Sequence, residues 1–242
     1  MYTEAELYDV VCDAIEKDFS GQAARIAELV RRARPHGRTM LDVACGTGEH
    51  ARYLFEVHGF EVDGIDLSPE MLVKARARCP RGRFEVADMT NFHLGRRYDG
   101  MLCMSASIAY ALTIPRLREA LACMRDHLEP GGVAVVQPYL TPDAVPPVGT
   151  REYTFESGDF RVKRIRRSEI DGRRHLVHFH YTIEGPGGTR EVDEVDDFGL
   201  FTIDEMLAAF SAVGLAATYD PSWSEVSGDG VYVASAPPGQ GA

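Results

Sequence analysis

Read for apolar periodicity, the chain changes character along its length. In the first 35 residues Leu7, Val10, Val11 and Ile15 recur at helical spacing, as do Ile26, Leu29 and Val30. Pro35, His36 and Gly37 close that stretch. Short apolar runs then alternate with helical patterns. "TMLDVA" predicts a strand and 49–57 a helix. "FEVDGID" predicts a second strand, and Asp66-Leu67-Ser68-Pro69 the start of the next helix, with proline in its first turn. "RFEVADM" and "YDGMLCM" predict a third and a fourth strand. Leu117, Leu121, Met124 and Leu128 mark a helix stopped before Pro130-Gly131-Gly132, and "VAVVQPYL" predicts a fifth strand buried on both faces. Repeated strand–helix units of this kind make an α/β protein: a parallel sheet with helices on both faces.

The pattern then shifts to period two. Residues 151–201 hold three extended runs and no helix, with turn signals at Asp171-Gly172 and Pro186-Gly187-Gly188. In "HLVHFHYTI", Val177, Phe179, Tyr181 and Ile183 face one way, and Leu176, His178, His180 and Thr182 the other. This predicts an antiparallel meander inserted after the fifth strand. A helix over 203–213 and a strand over 231–235 return to the main sheet, and the tail "PPGQGA" is expected to be unstructured. The organisation expected is a helical cap over 1–36, a Rossmann-like core over 37–150, an insertion over 151–200, and 201–242 completing the core. The insertion is expected to serve as a lid or as a dimer interface.

Composition narrows the partners. The length of 242 residues suits one large α/β domain with an insertion. A net charge of −11 argues against general nucleic-acid binding, which needs a basic face. The basic run Arg161, Lys163, Arg164, Arg166, Arg167 reads as a solvated face, with a substrate diphosphate as its alternative partner. The N-terminus lacks a basic region followed by an apolar core, and no run approaches a membrane span. The five cysteines are scattered and form no Cys-x-x-Cys pair. These features predict a reduced, cytoplasmic protein with neither a membrane nor a nucleic-acid partner.

The chemistry centres on Gly46-Thr47-Gly48, between the first strand and its helix, where glycines let the backbone approach a ligand. No Lys-Ser or Lys-Thr follows, which excludes a phosphate loop of the Walker type. Asp66 closes the second strand, where a carboxylate accepts from ribose hydroxyls; that suits a nicotinamide dinucleotide and S-adenosylmethionine equally. Asp42, just before the glycines, would repel a pyrophosphate but suits a cationic ligand. Asp88 and Met89 end the third strand, placed for an adenine amino group and ring.

"LDVACGTG", "GIDLSPEML", "VADMTNF" and "YDGMLCM" together resemble the successive motifs of class I S-adenosylmethionine-dependent methyltransferases, across residues 39–140. The resemblance implies a seven-stranded sheet with a reversed last strand. It also implies S-adenosylmethionine as cofactor, contacted by Ala44, Gly46, Gly48, Asp66, Leu67, Met71, Asp88, Met89 and Met104. "LYDVVC", "MTNFHLGRRYD", "CMSASIAYAL", "HLEPGGVAVVQPY" and "LFTIDEMLAAFSAVGL" extend the likeness to N-methyltransferases of nucleotide-linked amino sugars in antibiotic pathways. Departures fall in the expected acceptor region: Tyr139-Leu140 in place of two aromatics, Thr202 in place of histidine, and the acidic run Glu191, Asp193, Glu194, Asp196, Asp197.

The function expected is therefore methyl transfer to the amino group of a small natural-product intermediate. Methyl transfer to oxygen or carbon is the alternative, and a non-catalytic donor-binding module a further one. Candidate catalytic residues are Tyr8, in the helix that by resemblance covers the donor, Tyr110 after the fourth strand, and His178 and His180 on one strand face. No third ligand accompanies the two histidines, so no metal is expected. In-line displacement relies on alignment of acceptor and methyl, so no obligatory nucleophile is expected and any single acid–base substitution should cost little.

Overall fold

The computed structural model describes residues 5–15, 17–223 and 230–239. Two helices, α1 (Ala5–Ala14) and α2 (Phe19–Ala33), precede the first strand. Then β1 (Thr39–Val43), α3 (Glu49–Glu56), β2 (Glu61–Asp66), α4 (Pro69–Arg78), β3 (Phe84–Val86) and β4 (Tyr98–Cys103) alternate. A short 3-10 helix (Ser107–Ala111), α5 (Ile114–Asp126) and β5 (Leu128–Val136) follow. Local chemistry sets the helix starts. Ser68 Oγ accepts from the Met71 N–H with Pro69 behind it, and Thr202 and Glu205 form a reciprocal capping box at the start of α6 (Ile203–Ala212). Thr202, where a histidine was expected, thus serves the backbone.

The main sheet has seven strands in the order β10-β11-β5-β4-β1-β2-β3, with β10 (Ala216–Asp220) and β11 (Val231–Ser235) added last. β1 pairs in parallel with β2 and β4, and β4 with β5; β11 runs antiparallel to both β5 and β10. The direction of winding reverses between β1 and β4, so the crevice beyond their carboxyl ends is where a ligand fits. Leu41 and Val43 pack on the α5–α6 side of the sheet, Met40 on the α2–α3 side.

The structure corrects the sequence reading in three places. The insertion has four strands: β6 (Gly149–Ser157), β7 (Phe160–Asp171), β8 (Arg174–Gly185) and β9 (Gly188–Gly199), in that order in a second sheet. The missed turn is Gly158-Asp159, a two-residue Gly-Asp hairpin loop with Gly158 in the left-handed region (φ 55); the signal is present in the sequence, but the expectation of three runs ran through it. β5 starts at Leu128 and runs through Pro130, because α5 already ends at Asp126. β10, an edge strand with no clear alternation, was absent from the expected set. The end of the tail, residues 240–242, lies outside the described residues.

The second sheet docks twice. Leu7, Val10 and Val11 of α1 pack on Val162, Tyr181 and Ile183. Ala109 of the 3-10 helix packs on Val177 and Phe198. Together α1 and the inserted sheet close over the crevice. No helix among the described residues is long and apolar enough to cross a membrane.

Candidate functional site

The crevice is a cavity of about 390 Å³, in the size range of a small-molecule site. Its floor is the turn after β1. Gly46 adopts φ 54 and Gly48 φ 82, and even Ala44 sits in the left-handed region at φ 58. A Cβ added at Gly46 would point into open space beside the cavity. At Gly48 it would come within 2.9 Å of Ala75 Cα, so this glycine lets α3 start against α4.

Asp66 ties this turn to the next strand. Its Oδ2 accepts from the Gly46 N–H at 2.8 Å, and its Oδ1 from the Ser68 N–H at 2.8 Å. Burial raises its pKa, against these two bonds. Asp42 is more extreme. It is 1% exposed, and its Oδ2 is buried without a hydrogen-bond partner at the cavity wall. Burial, then the neighbouring Asp66 charge, hold its pKa well above the usual carboxylate range, opposed by Lys17. A buried carboxylate oxygen with nothing to bind suits a cationic ligand, and a sulfonium or an ammonium fits it. Leu67, Met71, Ala87 and Met89 form an apolar side wall suited to an aromatic base, with Met104 nearby at the end of β4.

Asp88 opens the next turn, where its Oδ1 accepts from the Thr90 N–H and hydroxyl at 2.8 Å each and its Oδ2 from Arg116 at 3.2 Å.

Above the donor floor, α1 contributes Tyr8, Val11 and Cys12. Removal from water lifts the Tyr8 pKa well above its ordinary value, so its hydroxyl stays protonated. The helix is pinned by Asp9, which accepts from Thr47 Oγ1 at 2.8 Å, Lys74 at 2.7 Å and Arg78 at 2.8 Å. Ser105 and Ala106 follow β4 at φ 58 and φ 61, so non-glycine residues in strained backbone gather at this cavity.

The far end is built by the 3-10 helix, the residues after β5 and the inserted sheet. Tyr110 donates to Asp196 Oδ1 at 2.8 Å, and burial followed by that carboxylate's charge raises the Tyr110 pKa far above its usual value. Tyr139 stacks on Phe198 with 4.1 Å between ring centroids and bonds His175 Nδ1 at 2.9 Å. Gln137 and Phe198 carry no expectation from the sequence; Tyr139, Asp196 and Arg164 belong to stretches singled out there, but not as individual site residues. Strand parity carries the missing signal. On β9, Val192, Glu194, Asp196 and Phe198 share a face; on β7, Val162, Arg164, Arg166 and Ser168 do. The basic run therefore splits, with Arg161, Lys163 and Arg167 exposed and Arg164 turned to the cavity.

His178 and His180, expected among the candidate catalytic residues, do not face the cavity. They lie on the outer face of β8, where His178 pairs with Glu169 at 3.4 Å and His180 with Asp193 at 2.8 Å. The opposite parity belongs to Val177, Phe179 and Tyr181, which face inward. The double substitution His178→Ala, His180→Ala is expected to leave kcat/KM within about twofold, as for exposed ion pairs. Steady-state kinetics on the purified variant would show otherwise if either histidine reached the reaction.

Residues 40–132 match the family described as "Methyltransferase domain". The chain is 38% identical to the dTDP-3-amino-3,6-dideoxy-alpha-D-glucopyranose N,N-dimethyltransferase of Streptomyces fradiae, covering 94% of this chain and 89% of that one. It belongs to the family of sugar N-methyltransferases that use S-adenosylmethionine. Two solved structures agree over the whole fold. DesVI of Streptomyces venezuelae superposes with a TM-score of 0.88 at 34% identity, covering 96% of this chain and 98% of that one. CalS10, an amino pentose methyltransferase of Micromonospora echinaspora solved with bound S-adenosylmethionine, gives 0.84 at 32%, covering 97% and 98%. The methyl donor of this methyltransferase is thus S-adenosylmethionine, in keeping with the unpartnered Asp42 oxygen at its cavity.

Proposed function

We propose that this enzyme methylates the amino group of a nucleotide-linked deoxyamino sugar, twice in succession. The observation that carries the reading is one cavity with two different acidic ends. Asp42 and Asp66 line the donor floor, and Tyr110 with Asp196 lines the opposite wall. The substrates named for the relatives, dTDP-linked amino sugars, fit a site that takes an amine.

When bound, the donor supplies a sulfonium-activated methyl that departs from a neutral thioether, so no acid is required. The chain's own residues do the rest. Asp66 and the Gly46 turn hold the ribose end, Asp42 faces the cationic end, and Tyr8 and Val11 exclude water from above. Asp196, oriented by the Tyr110 hydroxyl, receives the amine proton and leaves a lone pair toward the methyl. The same residues act again on the monomethylated amine, which must lose its proton in turn.

Incubation with S-adenosylmethionine and dTDP-3-amino-3,6-dideoxyglucose is expected to give mono- and then dimethylated product by mass spectrometry. A single methyl on a hydroxyl would overturn the reading. Asp196→Asn is expected to lower kcat/KM about tenfold near neutral pH, less than the roughly hundredfold or more of general acid–base catalysis because the amine can also lose its proton to water, with donor affinity unchanged. The deficit should shrink as pH rises toward the amine's own pKa, where the acceptor is already neutral. A deficit constant with pH would remove Asp196 from proton transfer.

A further inference from the structure

Arg164 reaches the cavity from β7 on the inserted sheet. Its guanidinium lies 4.8 Å from the ring centroids of Tyr153 and Phe155 and 5.4 Å from that of Phe179. Its Nε is buried with no hydrogen-bond partner, and no carboxylate among the described residues pairs with it. Two of the exposed cations of the same strand do have carboxylates: Lys163 meets Glu152 at 3.0 Å and Arg161 meets Glu156 at 3.9 Å. A guanidinium held near three aromatic rings, with a donor left over at a cavity wall, is positioned for an oxyanion and costly without one.

The donor's carboxylate is not the fitting partner. Lys17 already lies in the field of Asp42 and donates to Ser105, so the donor end has a cation of its own. Arg164 instead shares the inner face of the inserted sheet with Asp196. It stands opposite Tyr181, which stands opposite Val192, four residues before Asp196 on the same parity. That register puts the two Cα atoms roughly 16 Å apart from strand geometry. Less the reach of both side chains, this separation suits a sugar ring carrying an amine at one end and a phosphate at the other.

We propose that Arg164 is the specificity residue that binds the acceptor's phosphate, making the enzyme selective for a diphosphate-linked amino sugar over the free sugar. This rests on the acceptor reading above. The test is calorimetry of thymidine diphosphate and of thymidine on the whole protein saturated with S-adenosylhomocysteine. It is paired with kinetics on the dTDP-linked amino sugar and on the same amino sugar as its methyl glycoside. Arg164→Met is expected to weaken thymidine diphosphate about 10- to 100-fold and to raise the KM of the nucleotide sugar alike, with kcat within about threefold. Arg164→Lys, which keeps the charge but not the planar fork, should fall between. Thymidine and the methyl glycoside should be unaffected.

Unchanged thymidine diphosphate affinity in both variants would overturn the assignment. So would an equal loss for thymidine, which would place Arg164 at the base, or an equal loss for S-adenosylmethionine, which would place it at the donor. A wild-type enzyme that methylates the methyl glycoside as well as the nucleotide sugar would also overturn it, while leaving N-methylation standing. Failure to methylate either sugar would remove the acceptor reading itself.

Discussion

Asp66→Ala is expected to weaken S-adenosylmethionine binding about tenfold or more, the loss of a charge-assisted hydrogen-bond pair to the ribose. The structure adds a second route to the same loss. Both Asp66 oxygens already accept a backbone N–H, one from Gly46 and one from Ser68, each at 2.8 Å. A carboxylate oxygen has room for a further bond, so both contacts leave capacity for a ribose hydroxyl. Removing the side chain frees the Gly46 turn that forms the donor floor, and the donor then has to order that turn as it binds. Asp66→Asn should lose less, since its amide oxygen still accepts one of the two N–H groups. Calorimetry on both variants measures this order. Equal, wild-type-like affinity would mean that the ribose is held elsewhere.

Asp42→Asn is expected to move stability and affinity in opposite directions. The carboxyl is buried with one unpartnered oxygen, and its folded pKa lies well above its unfolded value of about 3.9. The folded state therefore binds the proton more tightly than the unfolded state. Below the unfolded pKa this group imposes no cost. As pH rises through the folded pKa, ionisation of Asp42 destabilises the donor-free protein. The substitution removes that cost, so the apo Tm of Asp42→Asn should exceed wild type by an amount that grows with pH. On the scale of an unsatisfied buried polar group the limit is roughly 1–3 kcal/mol. The cationic donor favours the ionised form, so wild-type affinity should rise with pH across the same window. In Asp42→Asn affinity should be lower, by about tenfold or more, and this part of the pH slope absent. Thermal denaturation and calorimetry over a pH series test both halves. A variant that is no more stable and binds as tightly would show that Asp42 carries no functional charge.

How far the site is legible before folding depends on how local each part is. The Gly46 turn, Asp66 at the end of β2 and Met89 after β3 all occupy fixed places in strand–turn–helix units. Asp88 sits in the same kind of place, yet its carboxylate turns back on Thr90, within two residues. Motif position brings a residue near a ligand but does not say which way its side chain points. For His178 and His180 the parity was read correctly, but not which face of β8 is covered. That face is chosen by α1 and the 3-10 helix, which supply Leu7, Val10 and Ala109 as apolar partners for Tyr181 and Val177. The same choice buries Asp196 and turns Arg164 inward, while Asp193 and Lys163 stay in solvent.

By itself, the sequence determines the parallel core, the reversed closing strand by family likeness, the glycine turn and the acids around a cationic adenosine-bearing donor. Those features follow from periodicities and turns spanning a few residues, where backbone geometry is decided locally. Only the tertiary structure decides the acceptor wall. Tyr110 and Asp196 are 86 residues apart in the chain and meet at 2.8 Å because a second sheet docks its apolar face over the first domain's crevice. Which face docks depends on the apolar area it can bury against its partners, a property of two assembled surfaces that no single strand contains.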